Sequence, residues 1–335
     1  MKIGLISLTK DFSRPGNSGS YRDYLYVKKE LERLGEVVTI TKENIYSITN
    51  REFDFFFLMA SQINFFGGKF DTFMGLKWDF IWSSRKPVFY WFVDFLIPLK
   101  RLDTIVLKRF NAYLAEPDIE NLKVISFAKD TEGTVDWWNR QTDTVALLPN
   151  NIHYWDLTES YFKYVDLRQP QMNATGLVYI GNNRNGKRLD ILNKAATNQV
   201  IDVYGNWQEK NPKYSSNLLF RDPIPETEVQ DILNRFYAQI ITYDEIGIKY
   251  QADSTRLGLT IASGTLPIID SRLEYLETIP ESLKDKLLFA HWQDVDKAMM
   301  MSYSDRAAVI KELQQHLTLR YLDTDFGGFV QSLIT

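Results

Sequence analysis

Two successive series of buried strands and amphipathic helices limit the fold of this chain more than any other feature. In the first half, Phe53–Met59 and Pro87–Val93 are short runs that are apolar on both faces, as central strands of a parallel sheet are. A helical period over Ser20–Leu34, ended by Gly35, follows the first strand at Lys2–Leu8. Strands that alternate with helices predict a doubly wound α/β domain.

The second half of the chain repeats this alternation. Its predicted strands are Gly176–Ile180, Val200–Tyr204, Ala238–Thr242 and Leu266–Ile269, and its predicted helices are Gly186–Ala195, Glu226–Phe236, Ser254–Ser263 and Trp292–Met300. The polar segment Asp166–Ala174 between the two series is typical of a linker. We therefore expect one domain over residues 1–167 and a second over 168–319, facing each other across a cleft. A helix within residues 320–335 is expected to pack back on the first domain.

Composition excludes several classes of site. The chain has no cysteine, so disulfides, thiolate metal sites and cysteine nucleophiles are excluded, as suits a reducing cytosol. Its three histidines do not occur at metal-ligand spacing. The net charge of −4 argues against non-specific coating of nucleic acid and leaves room for a local basic patch. No apolar stretch approaches the roughly 20 residues of a membrane span, so we expect a soluble, cytoplasmic protein.

The segment Thr175–Arg188 (TGLVYIGNNRNGKR) has the order of an anion site. An apolar strand ends at Gly181, a polar turn follows, and a helical pattern begins near Lys187. The first N–H groups of a helix lack internal partners, and the helix dipole adds partial positive charge there. Arg184 and Arg188 add guanidinium groups that can bind phosphate oxygens in a fork. The turn therefore favours a diphosphate, although an ordinary loop with solvated basic residues fits the same letters.

Two further segments follow predicted strands in the first half. They are the loop Ala60–Lys69 (ASQINFFGGK) and Asp94, and ligands of open parallel sheets bind beyond the carboxyl ends of the strands. A carboxylate at such a point can act as a general base, or it can simply cap the next turn.

Taken together, these segments resemble the DNA β-glucosyltransferases of T-even bacteriophages. The motifs that carry the resemblance are Ile63–Lys69 (INFFGGK), Phe89–Asp94 with Ile97-Pro98, the turn Gly181–Arg188, Tyr204-Gly205-Asn206, Lys210–Tyr214 (KNPKY) and Thr255-Arg256-Leu257 with Ala262-Ser263. They keep the family's order from residue 2 to about residue 275, so the resemblance covers most of the chain.

The resemblance implies a GT-B architecture, in which two Rossmann-like doubly wound domains face each other across a cleft. It implies inverting transfer of a sugar, glucose by default, from a UDP-sugar to 5-hydroxymethylcytosine in duplex DNA, with the target base flipped out. Arabinose or another sugar, and 5-hydroxymethyluracil, remain alternatives. A divalent cation (Mg²⁺ or Mn²⁺) would assist the leaving diphosphate. The protein would be a phage-encoded monomer that acts in the bacterial cytoplasm, helps phage DNA to evade host restriction and has no membrane partner.

The resemblance also implies roles for individual residues. Asp94 corresponds to the general base. The implied donor-binding residues are Asp23, Gly181, Asn182, Arg184, Arg188, Glu228, Val229, Arg256 and Thr260. The implied acceptor and DNA residues are Asn64, Phe65, Phe66, Gly67, Gly68, Lys69, Lys100 and Arg101. Phosphate contacts from such basic residues would make DNA binding salt-dependent.

One position departs from the family. Leu259 stands where the family has a glutamate that holds the ribose hydroxyls, and a leucine cannot accept those hydrogen bonds. Either a neighbour such as Asp253 or Thr260 replaces it, or the specificity for nucleotide or sugar differs.

Other functions remain open from the sequence. One is a GT-B transferase that acts on a saccharide or small molecule, which the acidic composition favours mildly. Another is a nucleotide- or DNA-binding module without turnover. The acidic pairs Asp294/Asp296 and Asp323/Asp325 have the spacing of a metal motif, but we interpret them as solvated charge and predict no dedicated metal site.

Overall fold

The computed structural model describes residues 1–7, 18–41, 44–59, 80–81, 84–92, 121–141, 148–182, 187–207, 214–243, 245–252, 255–273, 276–291 and 295–334. The chain divides into two compact units. Unit 1 comprises Met1–Lys10, Tyr24–Trp155 and Asp325–Thr335, and unit 2 comprises Asp11–Asp23 and Asp156–Thr324. This division falls at Trp155/Asp156, and the domain limits at residues 167/168 remain a prediction from the sequence.

The described part of unit 1 contains a six-stranded parallel sheet with the order β2-β1-β3-β4-β5-β6. The strands are β1 (Lys2–Ser7), β2 (Glu36–Ile40), β3 (Phe55–Met59), β4 (Val88–Phe92), β5 (Leu122–Ser126) and β6 (Ile152–Tyr154). The helices are α1 (Ser18–Glu32), whose first residues belong to unit 2, and α2 (Thr131–Gln141), with 3-10 turns at Asn50–Glu52 and Pro149–Asn151. The predicted helix Phe70–Ser83 and strand Thr144–Leu148 lie largely outside the described residues.

Aromatic packing forms the centre of unit 1. All five residues of β3 are buried, as the run of apolar letters predicts for a central strand. The ring of Phe57 stacks on that of Phe89 at 6.0 Å between centroids. Gly35 does not end α1 in a left-handed conformation. It is required instead because an added Cβ would lie 2.0 Å from the carbonyl oxygen of Met1.

The described part of unit 2 contains a second six-stranded parallel sheet, with the order β12-β11-β10-β7-β8-β9. Its strands are β7 (Leu177–Ile180), β8 (Ile201–Tyr204), β9 (Leu218–Arg221), β10 (Ala238–Ile241), β11 (Leu266–Asp270) and β12 (Leu288–Phe289). Its helices are α3 (Lys187–Ala195), α4 (Val229–Asn234), α5 (Glu245–Lys249), α6 (Thr255–Ala262), α7 (Glu281–Leu287), α8 (Val295–Met299) and α9 (Tyr303–Arg320). 3-10 turns lie at Glu159–Tyr161, Glu226–Glu228 and Leu276–Thr278.

The final helix, α10 (Phe326–Ser332), packs within unit 1. The ring of Phe326 lies 5.6 Å from that of Tyr26, 5.5 Å from that of Trp91 and 5.0 Å from that of Trp155. The range predicted for the C-terminal helix begins at residue 320, but Arg320 is the last residue of α9 in unit 2.

Two parallel sheets, each with flanking helices, confirm the predicted fold class. In each unit the chain adds strands on one side of its first strand (β1 or β7) and then returns to add the remaining strands on the other side, as in doubly wound folds. Within the described ranges, none of the helices combines the length and apolarity needed to cross a bilayer.

His153 in β6 predicts a pH effect on stability. Its Nε2 is buried without a hydrogen-bond partner among the described residues, and burial lowers the pKa of this histidine from 6.5, as does the positive charge of Lys123 to a smaller extent. The unfolded chain therefore binds this proton more readily than the folded chain. Stability from this group is complete above pH 6.5 and is lost as the pH falls from there through the folded-state pKa.

We therefore expect His153→Gln to reduce the loss of unfolding free energy between pH 8 and pH 5.5, as measured by denaturant titration at each pH. His291→Gln, which changes an exposed histidine, serves as the control and should leave the pH dependence unchanged. An unaltered pH slope in His153→Gln would contradict the assignment.

Candidate functional site

Polar and cationic side chains of unit 2 converge at the carboxyl edge of its sheet. Parallel pairing of β7 with β8 and with β10 brings the ends of these three strands together. The turn after β7 begins with Gly181, the turn after β8 begins with Gly205, and Thr242 follows β10. This edge is where open α/β sheets bind ligands.

Three successive carbonyl groups at the end of β7 each accept a hydrogen bond from a side chain. Arg256 Nη1 donates to the carbonyl of Ile180 at 3.3 Å. Trp207 Nε1 donates to the carbonyl of Gly181 at 2.8 Å, and Arg188 Nη1 donates to that of Asn182 at 3.1 Å. The start of the predicted phosphate turn is therefore fixed by Arg188 from the same segment and by Trp207 and Arg256 from distant parts of the sequence.

The turn after β8 fixes the same residues from the other side. The backbone N–H of Gly181 donates to the carbonyl of Tyr204 at 2.9 Å, and that of Asn206 donates to Asn182 Oδ1 at 2.8 Å. Gly205 has φ +141°, and a Cβ there would lie 2.3 Å from the carbonyl oxygen of Gly181. Only glycine allows this approach, which explains the Tyr204-Gly205-Asn206 motif physically.

Arg256, near the start of α6, connects β7 with β10. Besides its bond to β7, its Nη1 donates to the hydroxyl of Tyr179 at 2.8 Å and its Nη2 donates to the carbonyl of Thr242 at 2.9 Å. Its guanidinium also lies over the rings of Tyr179 and Tyr243, at 5.3 and 5.6 Å from the centroids. The charge is thus held in one position, as a preorganised anion site requires.

Arg188 provides a second fixed cation. It is the second residue of α3, is only 4% exposed, and lies with its guanidinium carbon 6.0 Å from the centre of the same Tyr243 ring. Among the residues that the structure describes, its Nε is buried without a hydrogen-bond partner, and the side chain forms no ion pair. A buried guanidinium with an unused donor is costly unless an anion binds it.

Unit 2 also contains a second set of buried polar residues. The hydroxyl of Ser160 donates to Asp23 Oδ1 at 3.2 Å, and Arg22 forms an ion pair with the buried Glu226. The pKa of Tyr161 is raised well above its ordinary value, first by burial and then by the charge of Asp23; Tyr243 contributes in the same direction. Burial also lowers the pKa of Arg22.

Tyr161 thus lies within electrostatic range of Asp23 and of Tyr243, the tyrosine whose ring both arginines face.

The remaining predicted donor residues have mixed positions. Glu228 is exposed at the end of the 3-10 turn Glu226–Glu228, whereas Val229 is buried at the start of α4. Leu259 is 6% exposed and packs in an apolar cluster with Val229 and Val178. The hydroxyl of Thr260 is buried within bonding distance of Gln239 Oε1 and the carbonyl of Arg256. This position does not offer Thr260 to a ribose in place of the missing glutamate.

Several predicted site residues lie outside the described residues, and so they keep only their sequence assignment. These are Asp94, Arg184, Asp253 and the acceptor residues Asn64, Phe65, Phe66, Gly67, Gly68, Lys69, Lys100 and Arg101. Asp94 follows β4 by two positions in the sequence.

Among the described residues, no group of three or more histidine, aspartate or glutamate side chains is arranged to hold a metal ion. Asp296 accepts a hydrogen bond from Asn198 at 3.1 Å, and Asp325 caps α10 by accepting from the N–H of Gly328 at 3.0 Å. These two members of the acidic pairs therefore have ordinary structural contacts.

Four aromatic residues of this site were not predicted from the sequence: Trp207, Tyr179, Tyr243 and Tyr161. Trp207 directly follows the Tyr204-Gly205-Asn206 motif, which is the signal that could have pointed to it. The tyrosines carry no such signal, because a single tyrosine in a sequence does not show whether it packs in the core or lines a site.

Known proteins resemble this chain in sequence and in structure. No family model matches the chain. The DNA beta-glucosyltransferase of Enterobacteria phage T4 is 25% identical over 299 residues, which cover 82% of this chain and 82% of that protein. The solved structure of T4 phage BGT with its UDP-glucose substrate matches with a TM-score of 0.73 at 18% identity, over 100% of this chain and 99% of that one. T4 phage BGT with UDP and Mn²⁺ matches with a TM-score of 0.72, at the same identity and coverage. The chain therefore has the GT-B fold, and its resemblance to the DNA β-glucosyltransferase of phage T4 is confirmed.

Proposed function

We propose that this protein is an inverting glycosyltransferase that moves glucose from UDP-glucose to the hydroxymethyl group of 5-hydroxymethylcytosine in duplex DNA. The observation that carries the proposal is the pair of fixed guanidiniums, Arg188 and Arg256, on one tyrosine ring at the carboxyl edge of the second sheet. The resemblance to a DNA glucosyltransferase over 82% of the chain supports the choice of reaction. On this proposal the enzyme is phage-encoded and modifies DNA in the bacterial cytoplasm.

The donor half of the reaction needs a site for a diphosphate that gains charge as the sugar leaves. Cations that are already held in place stabilise this charge without reorganising, which is usually the largest electrostatic contribution to catalysis. Arg188 has an unused Nε and no carboxylate partner within the described residues, so it suits this role best. Arg256 is the second cation, and Arg184 in the same turn is the third on sequence grounds.

Other donor contacts are proposed from position. Asp23 accepts a hydrogen bond from Ser160 in the same unit as the arginines, and its carboxylate is proposed to bind a hydroxyl of the donor sugar. The turn that ends at Glu228 and Val229 is proposed to hold the uracil, with Gly181 and Asn182 at the diphosphate. Thr260 is omitted because its hydroxyl is already bonded in the core. With Leu259 in an apolar cluster, the ribose is expected to be held loosely at that side.

The acceptor half is proposed from the sequence. A hydroxymethyl oxygen is a weak nucleophile until a base removes its proton as the new bond forms. Asp94 is the proposed base: its carboxylate takes that proton, the oxygen attacks the anomeric carbon, and UDP leaves from the opposite face. Asn64, Phe65, Phe66, Gly67, Gly68 and Lys69 would bind the flipped nucleotide, and Lys100 and Arg101 would bind DNA phosphates.

A divalent cation, Mg²⁺ or Mn²⁺, would add positive charge at the diphosphate. The described residues contain no cluster of carboxylates or histidines arranged to hold it. The arginines then provide the protein's own share of the charge stabilisation.

A transfer assay with labelled donors tests the proposal. UDP-glucose and other UDP-sugars, arabinose included, are incubated with duplexes that contain cytosine, 5-hydroxymethylcytosine or 5-hydroxymethyluracil, and with a free oligosaccharide. We expect label from UDP-glucose in the 5-hydroxymethylcytosine duplex. Label in the oligosaccharide alone would favour a saccharide transferase, and UDP binding without transfer to any acceptor would favour a binding module. Either result would overturn the proposal.

A further inference from the structure

The indole of Trp207 holds one carbonyl group at the start of the proposed diphosphate turn. Its Nε1 donates to the carbonyl of Gly181 at 2.8 Å, between the carbonyls that Arg256 and Arg188 bind. Trp207 differs from Arg256 and Arg188 because it carries no charge. It therefore adds no net attraction for a diphosphate, and its N–H contributes only to the orientation of this carbonyl group.

Orientation matters here because carbonyl oxygens carry partial negative charge. An oxygen that turned toward a bound diphosphate would repel it, and a carbonyl without a donor could do so at little cost. A side-chain N–H that occupies the oxygen opposes this rotation and compensates its charge. The close approach of Gly205 to the same oxygen further restricts the turn.

The ring of Trp207 also contacts the residues around Arg256. It lies 6.1 Å from the ring of Tyr179, at 79° between the planes, and 5.5 Å from that of Phe220. The hydroxyl of Tyr179 is in turn the acceptor for Arg256 Nη1 at 2.8 Å. One side chain thus connects the backbone of the turn with a fixed cation of the site.

We infer that Trp207 is a positioning residue for the donor diphosphate: its N–H keeps the Gly181 carbonyl turned away from the anion. The inference rests on the proposed function and extends it to a residue that touches no substrate. It predicts that loss of the indole N–H weakens binding of the phosphates and leaves binding of the nucleoside unchanged.

Trp207→Phe keeps an apolar ring and removes the N–H. We expect the Kd for UDP to rise about 5- to 10-fold, the loss that one neutral hydrogen bond accounts for, while the Kd for uridine stays the same. Calorimetry measures the Kd for UDP, and competition NMR measures the Kd for uridine, which binds more weakly. Incorporation of 3-benzothienylalanine at position 207 replaces only the N–H by sulfur and keeps the shape of the side chain. We expect the same change in the Kd for UDP and the same unchanged Kd for uridine.

Trp155→Phe is the matched control. It removes an indole N–H that donates to the hydroxyl of Tyr26 at 3.0 Å in unit 1. Trp155→Phe should lose only the stability of this hydrogen bond and should leave UDP affinity unchanged.

Three outcomes contradict the inference. Normal UDP affinity in both Trp207 variants overturns it while the proposed function stands. An equal loss for UDP and uridine means that the ring only supports the fold of the site, and this also overturns it. If the unaltered protein does not bind UDP, the proposed function fails and the inference fails with it.

Discussion

Replacing Asp94 by asparagine should lower the rate of sugar transfer to hydroxymethylated DNA about 10²- to 10⁴-fold, the usual contribution of a general base. Asparagine has nearly the same shape but cannot accept the proton of the acceptor hydroxyl. UDP-glucose affinity should stay close to that of the unaltered enzyme, because the proposed donor contacts lie on other residues. The measurements are single-turnover transfer of labelled glucose and calorimetry with UDP-glucose.

The competing explanation for Asp94 is that its carboxylate caps the turn after β4. Asp130 provides a matched control, because it follows the next strand of the same sheet and accepts from the N–H of Gly133 at 2.8 Å at the start of α2. Asp130→Asn keeps a residue that can cap a helix, so this variant should transfer glucose normally. A fully active Asp94→Asn enzyme would show that the base is another residue.

Replacing Arg188 by methionine should weaken UDP binding about 10- to 100-fold. A hydrogen bond to a charged group contributes about 1.5–3 kcal/mol, and about 1.4 kcal/mol corresponds to a factor of ten. The same change should leave the free energy of unfolding of the ligand-free protein unchanged or raise it. Its guanidinium is buried and its Nε has no partner within the described parts of the chain, so methionine removes this desolvated charge and keeps an apolar stem.

This opposite behaviour of binding and stability separates a ligand-binding arginine from a structural one. Arg221→Met is the control, because Arg221 is half exposed and pairs with Asp202 at 2.6 Å in the same unit. It should change neither UDP affinity nor stability by much, as is usual for surface ion pairs. UDP affinity that is equal in the Arg188 variant and the unaltered protein would count against the diphosphate site.

The helix α9 shows what the sequence pattern missed. Its core-facing side contains two polar residues, Arg306 at 1% exposure and Gln314 at 5%, which interrupt the apolar stripe that identifies a helix. Arg306 stacks over the ring of Tyr237 at 4.3 Å, and Gln314 donates to the carbonyls of Arg168 and Ile261 at 2.9 Å. These partners are distant in sequence, so the local pattern carried no sign of them.

Thr260 shows the same limit for a single side chain. As a polar residue next to Leu259, it is a candidate to replace the missing ribose contact. The structure instead bonds its buried hydroxyl to Gln239 and the backbone of α6. Whether a polar side chain faces a ligand or the core depends on what packs against its helix, which a single sequence does not state.

The sequence by itself determined the order of strands and helices, the two parallel sheets and the turn of Gly181 at a strand end. These features follow from local hydrophobic period and from the backbone freedom of glycine, which depend on neighbouring residues. Only the tertiary structure decided which side chains surround that turn. Trp207 and Arg256 reach it from 26 and 76 residues away because parallel pairing aligns the ends of distant strands. Such proximity arises from sheet packing and has no counterpart in local sequence.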